Sequence, residues 1–143
     1  MSIHIEGRVS SDLIPVRLKP AIARVADMYK ETFGSRLQSV YLLGGIARGE
    51  FRPGSSDFDI RAIVTKKEEG EKERVDQMAA PLKTELDFGK MELDVYTVDG
   101  LNKRNWLQFY VLVDGVCVWG KPYSGTFPLP TNYLILCPHL SHT

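Results

Sequence analysis

Two aspartates, one residue apart inside an otherwise apolar segment, constrain this sequence more than any other feature. Asp57 and Asp59 alternate with Phe58 and Ile60. Residues i and i+2 of a strand point to the same face, so a strand here places both carboxylates together and both apolar side chains on the opposite face. Burying two unpaired negative charges is costly, and a divalent cation is the commonest physical reason to hold them there. The alternative interpretations are an exposed polar strand face and an N-terminal aspartate that caps a turn.

A glycine pair precedes the aspartates. Gly44 and Gly45 follow residues 37–43, a mostly apolar run that predicts a central strand. Glycine lets the backbone approach a phosphate closely, and the N–H groups at the start of a following helix attract anions. We predict a short helix over residues 46–51, in which Arg48 either reaches phosphate or is an exposed helix arginine. A simple turn is the alternative for the glycine pair.

A second acidic strand follows later in the chain. Glu92 and Asp94 alternate with Leu93 and Val95, so both carboxylates share one face. If this strand neighbours the first, three carboxylates converge, and such hard oxygen ligands suit Mg²⁺ or Mn²⁺. Three carboxylates can hold two ions that clamp an in-line phosphoryl displacement. As the third ligand we prefer Asp94 to Glu92, because it lies deeper in the strand and has a shorter, stiffer side chain.

Composition limits the class of protein. The chain has 143 residues, of which 43% are hydrophobic and 25% charged, and its formal net charge is zero. These values suit one domain with one core and argue against binding nucleic acid through a general basic surface. There is no apolar run typical of a signal peptide or a membrane span, so we expect a soluble cytoplasmic protein in which Cys117 and Cys137 are free thiols.

Periodicity predicts the elements around the two motifs. Residues 1–18 are expected to be an N-terminal arm, residues 19–120 the catalytic domain, and residues 121–143 a C-terminal tail, with the apolar run 133–136 docked on the domain or a partner, or cut from a longer chain. Within the domain we predict a helix from residue 19 to Gly34, a strand at 57–64, a helix at 75–86 kinked or divided by Pro81, a strand at 91–98, a helix at 101–113 and a strand at 116–119.

These motifs together resemble the nucleotidyltransferases of the DNA polymerase β superfamily. The resemblance covers Leu-Gly-Gly-Ile-Ala-Arg-Gly from residue 43, Ser-Asp-Phe-Asp-Ile ending at residue 60, and the later strand carboxylate. It is similar to the minimal bacterial and archaeal domains of the aminoglycoside-modifying and antitoxin types. The resemblance implies an α/β (α+β) fold, with a polymerase β-like core formed by a small mixed sheet flanked by helices.

The resemblance also implies an activity. A nucleoside monophosphate, AMP from ATP, would pass to a hydroxyl acceptor, with release of pyrophosphate and with two Mg²⁺ ions, or Mn²⁺, as cofactors. Asp57 and Asp59 would bind both metals, and Asp94 would bind one and activate the acceptor hydroxyl. The triphosphate would be held by the glycine turn with two helpers, which gives the nucleotide-binding set Gly44, Gly45, Arg48 and Ser56.

Two residues depart from the family pattern. Many members have serine in place of Gly45, where its hydroxyl donates a hydrogen bond to the terminal phosphates. Arg61 lies on the face of the aspartate pair, where it could contact phosphate, neutralise the carboxylates and compete with metal, or emerge into solvent at the strand end.

The acceptor is a small molecule or a protein. Acceptor specificity normally comes from a helical domain after the core, and little follows residue 119. We therefore expect a helical partner protein, a homo-oligomer or a truncated chain, and no membrane or nucleic-acid partner. The alternatives are an antitoxin-like binding or regulatory module with little catalysis, and an α/β domain with an incidental acidic patch.

Overall fold

The computed structural model describes residues 5–6, 11–86, 90–124 and 141–142. Cys137 and the apolar run 133–136 lie outside the described residues. The strands and helices, in chain order, are β1 (Ile5–Glu6), α1 (Lys19–Phe33), β2 (Leu37–Leu43), β3 (Asp57–Val64), α2 (Glu71–Glu85), β4 (Lys90–Thr97), α3 (Val98–Asn102), α4 (Asn105–Asp114), β5 (Gly115–Gly120) and β6 (Ser141–His142).

Four strands form one mixed sheet in the order β4-β3-β2-β5. The β2 strand pairs antiparallel with β3 and with β5, whereas β3 and β4 run parallel. Parallel neighbours need a crossover connection, and α2 supplies it between β3 and β4. The short strands β1 and β6 form a separate antiparallel pair. The predicted small mixed sheet flanked by helices is confirmed.

The sheet buries apolar side chains on both faces. On one face Phe58 and Ile60 of β3 belong to the main core, which includes residues of α1 and α2. On the other face Ile63 packs in a smaller cluster with Leu101 of α3 and Val111 of α4. The second face of β3 also carries its charged residues, so the strand's period of two separates the main core from the acidic site.

Several elements match the sequence predictions closely. Helix α1 begins at Lys19 and ends before Gly34, whose φ of 57° is left-handed and typical of a helix C-terminus. Strands β2 and β3 have the predicted bounds.

Cys117 is a free thiol and is half-buried. No helix in the described ranges is long and apolar enough to cross a bilayer.

Three helix predictions differ from the structure. No helix forms over residues 46–51, where residues 45–49 form turns, because Gly49 takes a φ of +79° after one turn. Helix α2 continues past Pro81, which lies on its exposed side near its end, so the predicted division is absent, and the kink stays a prediction. The helix predicted at 101–113 is two helices, because Arg104 adopts an extended conformation, with φ −128° and ψ 95°, between α3 and α4.

Candidate active site

The aspartate pair lies at the start of β3, between β2 and β4. Asp57 is exposed, whereas the side chain of Asp59 is 19% exposed. In the strand register Asp59 pairs with Leu43, the last residue of β2, and with Glu92 of β4. The register therefore brings the end of β2 and an acidic residue of β4 to the two sides of Asp59.

The glycine turn lies directly against this aspartate. Gly44 has a φ of +82°, a conformation that residues with a side chain rarely adopt. A Cβ atom added to Gly44 would be 3.9 Å from the Asp59 Oδ2 atom. Gly45 lies outside the left-handed region, and a Cβ added there would meet Glu50 and Arg48 side-chain atoms at 3.7 to 3.8 Å, which is ordinary contact. The turn and the carboxylate are thus neighbours, as a phosphate and metal site requires.

Arg61 lies at the centre of the acidic face and is only 6% exposed. Its Nη1 atom is 2.8 Å from Asp59 Oδ1, and its Nη2 atom is 3.2 Å from Glu92 Oε2. Its Nε donates to the Tyr96 hydroxyl at 3.2 Å, and Nη1 donates to the Ile60 carbonyl at 3.0 Å. The interpretation that Arg61 emerges into solvent is wrong, because the next strand covers it and supplies its partners.

The two carboxylates beside Arg61 have opposite pKa shifts. Burial raises the pKa of Asp59, and the nearby Arg61 charge opposes this effect. The Glu92 pKa is lowered to about 2, first by the hydrogen bond from Lys90, whose Nζ lies 2.6 Å from Glu92 Oε1, and also by Arg61. Glu92 is therefore ionised at neutral pH, and burial disfavours the charge on Asp59.

Asp94, the preferred third carboxylate, lies two residues further along β4. It pairs in register with Arg61 rather than with Asp59, and its Oδ1 accepts a hydrogen bond from the Val95 N–H at 2.9 Å. The side chain also lines a cleft of about 430 Å³ bordered by Tyr96, Thr97, Gly100, Arg104 and Lys67. Glu92, which the sequence analysis ranked second, is the β4 carboxylate beside Asp59.

The two predicted helpers of the glycine turn bind other parts of the protein. Arg48 Nη1 donates to both carboxylate oxygens of Asp114 at 2.8 Å, which ties the turn to the end of α4. The Ser56 hydroxyl accepts from the Arg52 N–H at 2.6 Å and donates to the Glu50 carbonyl at 3.3 Å. Both side chains thus stabilise the segment between the turn and β3, and their contact with nucleotide stays a prediction.

The carboxylates fit a magnesium ion that arrives with a nucleotide. Asp59 Oδ1 is held 2.8 Å from the Arg61 Nη1 atom, whereas Oδ2 is the carboxylate oxygen beside the Gly44 turn. In the described part of the chain, no three acidic, histidine or cysteine side chains are close enough together to hold a metal ion. Mg²⁺ is usually bound through one or two carboxylates together with substrate phosphates, so Asp57 and Asp59 suffice for one such ion.

Sequence reasoning missed the other polar partners on this face. Lys90 and Tyr96 occupy the same face of β4 as Glu92, at spacings of two and four residues, and both bind members of the charged cluster. The alternation that identified Glu92 could have identified them. Their partners could not be read from the sequence, because each bond depends on how β4 pairs with β3.

Comparison with known proteins finds one matching family profile and several solved structures with the same fold. The profile of the family described as "Nucleotidyltransferase domain" matches residues 22–113. A toxin–antitoxin structure with AMP-PNP is 19% identical, with a TM-score of 0.51 over 69% of this chain and 73% of that chain. Spectinomycin adenyltransferase AAD(9) from Enterococcus faecialis, solved with ATP and spectinomycin, is 17% identical, with a TM-score of 0.57 over 73% of this chain and 56% of that chain. The predicted polymerase β-like fold is confirmed. No curated protein sequence matches this chain significantly.

Proposed function

Because this chain belongs to the nucleotidyltransferase domain family, we propose that it transfers AMP from ATP to a hydroxyl group in a reaction that depends on Mg²⁺. One observation carries the proposal: the left-handed Gly44 turn lies against Asp59, with Asp57 two residues earlier and Glu92 across the strand pair. A glycine turn beside one member of a carboxylate pair is an arrangement that suits a metal–nucleotide complex. The ATP complex of the adenyltransferase with the same fold supports the choice of nucleotide.

In the proposed reaction the acceptor hydroxyl oxygen attacks the α-phosphorus of ATP. The bond from the α-phosphorus to the bridging oxygen breaks, and pyrophosphate leaves with the electron pair. Asp57 and Asp59 would hold Mg²⁺, which neutralises charge on the phosphates. The N–H groups of the glycine turn would bind the triphosphate. The proton of the attacking hydroxyl would pass to a carboxylate of β4, with Glu92, which pairs with Asp59 in the strand register, as the first candidate and Asp94 as the second.

The acceptor is proposed by class only. The two comparison structures with this fold contain spectinomycin and a toxin protein, so a hydroxyl-bearing small molecule and a hydroxyl side chain of a partner protein are the classes to screen. The cleft beside Asp94, about 430 Å³ in volume, is bordered by Lys67 and Arg104. These two cations favour an acceptor that carries a negative or strongly polar group near its hydroxyl.

Substitution of three carboxylates tests this assignment. The assay incubates the protein with [α-³²P]ATP, MgCl₂ and either a panel of hydroxyl compounds or a cell lysate, and follows transferred label. We expect Asp59→Asn and Glu92→Gln each to reduce transfer by about 100-fold or more, and Asp94→Asn to reduce it by less than about tenfold. If only Asp94→Asn lost transfer while keeping its fold, Asp94 rather than Glu92 would be the third carboxylate of the site. Absence of both transfer and Mg²⁺-dependent ATP binding would refute the enzymatic proposal.

A second candidate function rests on Arg61. Because its guanidinium already pairs with Asp59 and Glu92, a non-catalytic binding or regulatory module of the antitoxin type is the alternative. That module would bind a partner protein without transferring label to it. Capture of a stoichiometric partner whose binding is unchanged by Asp59→Asn would favour this alternative.

A further inference from the structure

The guanidinium of Arg61 pairs with the carboxylates of both Asp59 and Glu92, which also lie within hydrogen-bonding reach of each other. Besides the two ion pairs, it donates to the Ile60 carbonyl, the Glu92 carbonyl at 3.3 Å and the Tyr96 hydroxyl. Arg61 makes these five contacts while only 6% exposed, so its guanidinium is fixed in the protein interior and is not part of an exposed surface ion pair. Tyr96 also presents its ring to the cation, whose Cζ is 5.8 Å from the ring centroid.

This position is the one that a second divalent ion would need. If Asp57 and Asp59 hold one ion, a second ion would need Asp59 together with Glu92, the β4 carboxylate that pairs with it in register. Arg61 bridges these same two groups, and a guanidinium close to a divalent ion in a half-buried site repels it strongly. Removing Arg61 from its pocket would leave its backbone and hydroxyl acceptors without their donor, which is costly in a buried place.

We propose that Arg61 is a resident cation that takes the place of the second divalent ion, so that the site binds one metal ion, at Asp57 and Asp59, and never two. The proposal rests on the nucleotidyl-transfer function proposed above and departs from the two-ion site that the carboxylate count predicts. It assigns Arg61 as a positioning residue, which holds Asp59 and Glu92 at a fixed separation.

Metal stoichiometry tests the proposal without measuring activity. Wild-type protein is titrated with MnCl₂ in the presence of saturating α,β-methylene-ATP, and free Mn²⁺ is counted by electron paramagnetic resonance. We expect one bound ion per nucleotide in the wild type and two in Arg61→Met, whose second site should bind Mn²⁺ at least about tenfold more tightly than any further site of the wild type. Arg36→Met is the matched control, because Arg36 also pairs with a carboxylate, that of Glu71, and should leave the count at one.

Two bound ions in the wild type, or one ion in folded Arg61→Met, would overturn the proposal. If Arg61→Met does not fold, Arg61→Gln replaces it, since the amide removes the charge and keeps a donor for Tyr96. Two ions in a wild type that still transfers label would refute the resident cation and leave the proposed function standing. No bound Mn²⁺ together with no transfer would refute both.

Discussion

The two glycines of the turn should respond in opposite ways to the same substitution. Gly44 has a φ of +82°, and a side chain in that region costs about 1–2 kcal/mol. Gly45 lies outside that region, and its added Cβ would make contacts no closer than 3.7 Å. Both alanine variants gain about 0.4–1 kcal/mol from a less flexible unfolded chain. Because that gain is common to both, Gly44→Ala should be less stable than Gly45→Ala by about 1–2 kcal/mol, the strain itself.

Urea denaturation of the two variants under the same conditions measures this difference. A gap of about 1–2 kcal/mol corresponds to about 2–8 °C in melting temperature for a domain of this size. Equal unfolding free energies for the two variants would refute the assigned backbone geometry, whatever their common shift from the wild type. A change in the denaturant slope of either variant would mean that the unfolded or native state had changed, and that comparison would then rest on melting temperature.

Gly45 also allows a test of nucleotide binding. Gly45→Ser restores the hydroxyl that many relatives carry, and a hydrogen bond to a charged phosphate contributes about 1.5 kcal/mol or more. We therefore expect Gly45→Ser to bind Mg²⁺–ATP about tenfold more tightly than Gly45→Ala, which has the Cβ and lacks the hydroxyl. Equal affinity of the two variants, measured by calorimetry, would show that a hydroxyl at position 45 does not reach the triphosphate.

Two further predictions concern stability. Tyr29 is fully buried and donates its hydroxyl hydrogen to the Asp94 carbonyl at 2.8 Å, so Tyr29→Phe should lower the unfolding free energy by about 1–2 kcal/mol in urea denaturation; an unchanged value would refute that bond. The Glu92 pKa falls from 4.5 to about 2 in the folded chain. Ionised Glu92 therefore contributes its full stabilisation of the folded state above pH 4.5, and this contribution is lost as the pH falls toward 2. The melting temperatures of wild type and Glu92→Gln should converge over that pH range. A constant difference between the two melting temperatures would contradict the pKa shift.

Much of the fold could be predicted because the decisive signals are local. The alternation at residues 57–60 and 92–95 set the faces of β3 and β4 without any knowledge of their neighbours. Gly34 ended α1 as expected, because a left-handed residue is a local property of the chain. The helix predicted over residues 46–51 does not form, because Gly49 is left-handed and ends the turn locally.

The composition of the site could be predicted only in part, because its partners are distant in sequence. Whether Glu92 or Asp94 lies beside Asp59 depends on the register of two parallel strands joined through α2, which no local pattern specifies. Arg48 binds Asp114, which is 66 residues away, and no feature of the glycine motif indicates that bond. Side-chain alternation gave the face of each charged residue, and strand pairing gave its partner.

The parallel pairing of β3 and β4 has a consequence for how the protein folds. Gly44 and Asp59 meet across neighbouring antiparallel strands and are close in sequence, whereas Arg61 and Glu92 are 31 residues apart and meet only after the α2 crossover is in place. Closing the longer loop costs more entropy before its contacts form, so non-local parallel pairing is the slower step. We expect the half of the site that contains the glycine turn to form early in refolding, and the half bridged by Arg61 to form only when β4 docks.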